Sequence, residues 1–200
     1  MPQVWRVTPA WRRVDQAGWP ATRHPSAVAP TISDIAALLE PQIPALRRYA
    51  FALARDHAAA DDLVQDCLER AVNRWYLRGP DAQLRAWLFT ILHNLFISAQ
   101  RTRRRRALHD ALDQVPNAAA STAPTQECSL ASRDMLERFG ALSVDHQEVL
   151  LLVGVEGMAY ASVARVLGIP VGTVMSRLSR AREQFRRLLE GERPVLRRVK

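Results

Sequence analysis

Lysine is almost missing from this 200-residue chain: of 28 basic residues, Lys200 alone is a lysine. Its positive charge therefore sits on guanidinium groups, which are planar and suit paired hydrogen bonds to phosphates and base edges. Cysteine is equally scarce. Cys67 and Cys128 stand alone, without CxxC or HxxxC spacing, which argues against a structural zinc site. Cys67 falls on an apolar helical stripe and reads as a small core residue. His24, His57, His93, His109 and His146 are scattered without metal-ligand spacing. There is no Gly-rich phosphate loop, no HExxH and no nucleophile elbow, so no enzyme chemistry and no cofactor is expected. No run approaches the roughly 20 apolar residues of a membrane span. The N-terminus lacks the apolar core of a secretory signal. Direct membrane insertion is not expected, and a reduced, cytoplasmic compartment is the default reading.

What is present is a basic chain with enough apolar matter for real cores. The net charge is +8, the pI is near 10.8 and 48% of residues are hydrophobic. Basicity alone leaves nucleic acid and anionic membrane both open as partners. Residues 1–33 carry five prolines, three tryptophans and four arginines. The prolines forbid a continuous helix, so this reads as a mobile arm. From residue 34 to 106 the pattern is helical. Ser33 or Asp34 can cap a helix over Ile35–Leu39, and Leu46, Tyr49, Ala50 and Leu53 mark the next apolar face. Leu63, Cys67, Leu68, Ala71, Val72 and Trp75 form a stripe at helical spacing. After the Gly79-Pro80 break a third long helix turns Leu84, Trp87, Leu88, Ile91, Leu92 and Leu95 inward. Residues 107–128 lose periodicity and read as a linker. Helices resume over 129–190, with Ser143 as a cap, and 191–200 form a tail. No strand-like alternation and no repeat appears. The fold expected is all-α: two small helical domains joined by a flexible linker.

Three surfaces carry candidate function. The sharpest is YASVARVLGIPVGTVMSRLSRAR, residues 160–182. Ala164 is small where two helices approach, and Gly168 sits where the turn needs positive φ. Ile169 and Val174 are apolar where the second helix packs back. This is a helix-turn-helix with a major-groove reading helix starting near Val171. Tyr160, Gly172, Thr173, Ser176, Arg177 and Arg180 are its candidate DNA contacts, with the amides of Gly172 and Thr173 close to a phosphate. The second surface is the third helix, which ends in QRTRRRR, residues 100–106. Its outer face is read as Arg85, His93, Asn94, Ser98 and Gln100, leading to Arg101, Arg103 and Arg104. Arginines at a helix C-terminus also favour the macrodipole, but this many suit phosphates. Tyr76, at a loop edge, suits stacking on a single-stranded base. The third surface is acidic: Asp61, Asp62, Gln65, Asp66 and Glu69 lie opposite the apolar stripe. Such faces are usually just solvated; the functional reading is docking on a basic protein partner.

Together these residues resemble a bacterial RNA polymerase sigma factor of the extracytoplasmic function (ECF) type. AADDLVQDCLERAVNRW, residues 59–75, looks like sigma region 2.2. Residues 84–106 look like regions 2.3 and 2.4, and residues 142–189 like region 4, down to GTV-x-SRL-x-RAR. The resemblance implies a non-catalytic specificity subunit that directs transcription initiation of a specialised regulon. It implies that Asp62, Gln65 and Asp66 dock on the β′ clamp coiled coil, and that the polymerase β flap is a further contact. The helix 84–106 and the loop before it would take the −10 element, and the helix-turn-helix the −35 element. The linker would thread the RNA-exit path. An anti-sigma factor is an implied partner, able to hold the chain at a membrane. Asp66 stands where many relatives have Glu, Cys67 where they have a hydrophobic or small residue, and Met175 where Arg is frequent before SRL. On the same reading the linker leaves the spacing of the two domains undefined in the free chain. A stand-alone helix-turn-helix regulator is the alternative. It would need a receiver or dimerisation element, which is not visible, and leaves the first domain unexplained.

Overall fold

The computed structural model describes residues 31–78, 83–112 and 130–190. All the regular structure among them is helical. The first unit comprises α1 (Ile32–Leu39), α2 (Ile43–Ala54), α3 (His57–Asn73) and α4 (Leu84–Leu112). The second comprises α5 (Leu130–Gly140), α6 (Val144–Leu150), α7 (Tyr160–Leu167) and α8 (Val171–Glu190). The N-terminal arm, most of the linker and the tail lie outside the described residues.

The helix ends follow from local chemistry. The cap of α1 is Thr31, not Ser33 or Asp34. Its hydroxyl accepts from the Asp34 amide at 3.2 Å, and the Asp34 carboxylate accepts from the Thr31 amide at 2.9 Å. These reciprocal bonds satisfy two orphan amides; the Thr31 hydroxyl, donating to Asp34 Oδ2 at 2.8 Å, and then the Thr31 amide hold the Asp34 carboxyl below its ordinary value. Arg55 ends α2 in the left-handed region at φ 58°. Asp56 then caps α3 by accepting from the Ala59 amide at 2.7 Å. At the other end of the unit α4 runs six residues past Arg106, so the expected linker boundary at 107 moves to 113. The linker began with Ala107 and Leu108, which are strong helix formers.

The first core is built from Leu46, Tyr49, Cys67, Ala71, Leu88, Phe89 and Leu92, all no more than 1% exposed. Tyr49 and Phe89 meet edge to face at 5.3 Å, the geometry aromatic quadrupoles prefer. The buried stripe of α3 is Ala60, Val64, Cys67 and Ala71. Val72, expected inside, is 37% exposed, because the stripe drifts around the helix toward its C-terminus. The thiol of Cys67 donates to the Leu88 carbonyl at 3.5 Å. Burial pushes it up to about 12, from an ordinary 9.0. Stability contributed by the neutral thiol is thus fully present below pH 9 and is lost as pH climbs toward 12. We expect Cys67 in a Cys128→Ser chain to resist iodoacetamide at pH 8 and to react in 6 M urea. Rapid labelling of the native chain would disprove this packing.

The second core gathers Val149, Leu152, Val163, Val174, Leu178 and Ala181, with Phe139 and Phe185 edge to face at 5.9 Å. Ser143 stands at the N-cap position of α6 as expected, but its hydroxyl makes no capping bond. The buried Gln147 side chain donates to the Leu142 carbonyl at 2.8 Å, tying the α5–α6 turn. A π turn, Leu151–Val155, continues α6. The Glu156 amide closes it onto the Leu151 carbonyl at 2.8 Å, and Gly157 reverses the chain at φ 63°.

The two units are not apart. Helix α4 packs on α7, and α2 touches α5 and α6. The expectation of an undefined spacing is overturned: buried apolar residues of both units join one cluster, and a seam of polar contacts described below adds to it.

Candidate nucleic-acid interface

The helix-turn-helix forms as its sequence dictates. Gly168 closes α7 at φ 65°, and the Ile169 amide returns to the Ala164 carbonyl at 3.1 Å. Val174 is fully buried against α7, and Ala164 is 9% exposed. Helix α8 therefore leans on α7 and turns its opposite side outward. Gly172, Ser176 and Arg180 are exposed, Thr173 and Arg177 half-buried. Tyr160, at the start of α7, is 38% exposed. Two of these residues are less available than the sequence suggests. The Thr173 amide donates to the Pro170 carbonyl at 2.9 Å, so the amide expected to face a phosphate is engaged and contact falls to the hydroxyl. Arg177 is paired with Asp145 of α6, Nη1 to Oδ2 at 3.1 Å.

On α4 the sequence reading splits in two. Arg101, Arg103 and Arg104 are exposed, as are Asn94 and Ser98; the Ser98 hydroxyl donates back to the Asn94 carbonyl at 2.8 Å. Tyr76 is 80% exposed. Arg85 and His93 are not on that outer face. Arg85 reaches across to Glu156, bonding both its carboxylate and, at 3.1 Å, its carbonyl oxygen. His93 Nδ1 lies 2.6 Å from Glu148 Oε1. The placement of these two residues outward is corrected. The acidic face of α3 is as expected, with Asp61, Asp62, Gln65, Asp66 and Glu69 all exposed. Asp61 pairs with Arg47 at 3.0 Å, and Gln65 donates to Glu69 at 3.1 Å.

The seam holds residues that sequence reasoning missed. Glu148 is 2% exposed and Glu156 8%. Arg48 grips Glu156 with two bonds, Nε to Oε1 at 3.3 Å and Nη2 to Oε2 at 3.2 Å. The Tyr49 hydroxyl donates to Glu148 at 3.4 Å. Burial, and then the charge of Glu148, raise the Tyr49 hydroxyl well above its ordinary value, so it stays a neutral donor. Ser162 donates to Gln83 at 3.0 Å.

An acidic docking helix, a long arginine-tipped helix and a separate helix-turn-helix thus occur in one chain. Comparison with known proteins decides what the set means. Residues 39–93 match the family described as the sigma2 domain of PhyR, and residues 132–185 match sigma-70, region 4. The chain is 40% identical to the ECF RNA polymerase sigma factor EcfG of Rhodopseudomonas palustris over 147 residues, covering 74% of this chain and 80% of that one. The chain belongs to the ECF RNA polymerase sigma factors. It is 33% identical to the ECF sigma factor SigL of Mycobacterium tuberculosis, over 84% of this sigma factor and 96% of the relative. The sigma factor RpoE of Bartonella quintana, solved in complex with the anti-sigma factor NepR, superposes with a TM-score of 0.70 at 36% identity. That match covers 81% of this sigma factor and 100% of the solved chain. As a sigma factor the protein recognises promoters and directs transcription by RNA polymerase. Its relatives are sigma factors, which are not enzymes. No helix among the described residues is long and apolar enough to cross a membrane, and no cluster of metal-binding side chains occurs among them.

Proposed function

We propose that the three surfaces divide the work of promoter recognition. The α3 face, through Asp61, Asp62, Gln65, Asp66 and Glu69, docks on the β′ clamp coiled coil of core RNA polymerase. The outer part of α4 takes the −10 element: Asn94 and Ser98 bond bases, Arg101, Arg103 and Arg104 hold phosphates, and Tyr76 stacks on an unpaired base. Arg85 and His93, engaged by Glu156 and Glu148, are left out of this surface. Helix α8 enters the major groove at the −35 element with Thr173, Ser176, Arg177 and Arg180, while Tyr160 and the Gly172 backbone meet the flanking phosphates. The β flap is a second polymerase contact. The observation that carries this reading is the exposure of a five-residue acidic face and two separate basic readers on one folded chain.

An anti-sigma protein belongs to the same reading, supported by the Bartonella quintana neighbour, which was solved with one. Such a partner would act where the polymerase is, in the cytoplasm, and would hold the chain at the membrane if itself anchored there.

Run-off transcription with bacterial core polymerase on a genomic promoter pool tests the whole. Transcripts that appear only with this protein and share two spaced upstream elements are expected. Silence, with the core active beside another sigma factor, would overturn the division of work. Arg177 has its own test. Arg177→Ala is expected to weaken −35 duplex recognition about 5- to 150-fold, the 1–3 kcal/mol of a base-edge contact. Asp145→Ala, which frees Arg177 from its ion pair, is expected to preserve or raise it. An equal loss from Arg177→Ala across altered −35 sequences would make Arg177 a phosphate contact instead.

A further inference from the structure

The α8 contacts assigned above occupy the crest of that helix and one flank. Thr173, Arg177 and Arg180 share the flank by which Arg177 reaches Asp145 of α6. The opposite flank carries Val171, Met175, Ser179, Arg182 and Arg186, spaced three or four residues apart along one side of the helix. It is not packed away: Val171 is exposed and Met175 is 50% exposed. A groove of about 460 Å³ runs between this flank and Tyr160 of α7. Met175, Leu178 and Ser179 line it first along α8, and Arg182 and Arg186 further on. Glu183 also borders it, but its carboxylate is taken up by Arg186 and Arg187. Arg182 is exposed and has no acidic partner among the described residues. The groove thus starts apolar and ends cationic. A lone methionine in water needs no explanation. One that shares a groove with a tyrosine on a DNA-reading helix does.

We propose that Met175, with Tyr160 as the facing wall, is a specificity-determining residue that seats the C5-methyl group of a thymine in the −35 element. This preference rests on the promoter-reading assignment and deepens it. A helix lying in the major groove presents both flanks to base edges, because the groove is about 12 Å wide and a helix with its side chains is about 10–12 Å across. The edges differ there. Thymine offers a methyl group beside its O4 acceptor, while the other three bases offer hydrogen-bonding groups alone. Met175 has no strong donor and no strong acceptor. Against guanine, adenine or cytosine it would strip water from polar atoms and return no hydrogen bond, which is unfavourable. Against thymine it covers a methyl group, and its unbranched thioether moulds to that surface. Leu178, 3% exposed, gives the seat an apolar floor. Arg182 follows about two turns along the same flank, about 10 Å away, and is placed for a phosphate of the strand on that side. An apolar seat followed by an unpaired guanidinium fits one DNA strand, whose methyl groups line the groove and whose phosphates border it.

The test takes its promoter from the run-off screen and measures duplex binding by the holoenzyme, core polymerase with the full chain. Each −35 thymine, on either strand, is replaced in turn by deoxyuridine, which removes the C5-methyl group and nothing else. One position is expected to lose about fourfold in affinity, the worth of one buried methyl group at about 0.8 kcal/mol. Met175→Ala is expected to bind the thymine duplex about fourfold less well and to show no further loss with deoxyuridine, so the two changes do not add. Met175→Leu refills the seat and is expected to restore the difference between thymine and deoxyuridine. The side chain is half in water, so neither variant should shift the thermal melt by more than a surface substitution does. No loss at any position, or a loss equal in the parent and in Met175→Ala, would overturn the methyl seat. A −35 element without an A·T pair would overturn it as well. Scrambling the whole −35 element checks the assignment beneath. If scrambling leaves the parent unaffected, promoter reading by α8 falls and the methyl seat with it. If scrambling weakens binding and deoxyuridine does not, the methyl seat alone falls.

Discussion

Reversing Asp62 and Asp66 to Lys is expected to lower affinity for core RNA polymerase by about 100-fold or more while leaving the fold intact. The two residues are one helical turn apart on α3 and both are exposed. They point away from the stripe that packs the core, so the replacement empties no cavity and buries no charge. Surface substitutions of this kind stay within about 0.5 kcal/mol of the parent stability. Against a basic partner the same change swaps two attractions for two repulsions. Like-charge juxtaposition at an interface costs several kcal/mol, and about 2.7 kcal/mol is already 100-fold. Fluorescence anisotropy of labelled protein titrated with core enzyme measures the loss, and a helical circular-dichroism melt checks the fold. The parent affinity should itself fall with added salt, because the facing charges are partly screened. A double variant that bound core as tightly as the parent would strip α3 of its docking role, and Asp62 and Asp66 would revert to ordinary solvated charges.

That face was legible because it is local. Exposure of Asp61, Asp62, Gln65, Asp66 and Glu69 follows from helical periodicity opposite Val64, Cys67 and Ala71, and needs no knowledge of what lies elsewhere. The helix-turn-helix was legible for the same reason: the positive φ of Gly168 and the burial of Val174 are set within one short segment. Element ends were less so. Thr31, Ser33 and Asp34 are all good capping types, and only the reciprocal bonds between Thr31 and Asp34 select one. A run of arginines reads as a helix end through the macrodipole, yet helix formers after Arg106 carry α4 to Leu112.

The seam was not legible at all. An acidic residue among apolar neighbours, such as Glu148 beside Val149 and Leu150, looks like a solvent-facing position. What makes it buried is a histidine and a tyrosine supplied by the other domain. The same holds in reverse for Arg85 and His93. Periodicity places them off the core of α4, which is correct, but off the core is not the same as facing water. The part of the site that sequence reasoning misplaced is the part decided by contacts more than 50 residues away in the chain.

The second large effect is expected from Val174→Asp. Val174 is fully buried where α8 meets α7, in the same apolar cluster as Leu152, Val163, Ala164 and Val166. A carboxylate placed among them costs several kcal/mol, since burial removes its water and no cation is at hand. The α5–α8 unit has about 60 residues, and at roughly 0.05–0.15 kcal/mol per residue its stability is about 3–9 kcal/mol. The penalty is of the same size, so the helix-turn-helix is expected to unfold. The α1–α4 unit keeps its own core around Leu46, Tyr49, Phe89 and Leu92, and with it the acidic face of α3. The expected result is therefore split. Promoter-specific run-off is lost, while binding to core polymerase is retained within about tenfold, because the rim contacts that vanish are individually weak. Limited proteolysis should cut within 130–190 and spare 31–112. Full run-off activity from Val174→Asp would show that α8 does not read the promoter. Loss of core binding together with run-off would show instead that the seam makes the two units fold as one.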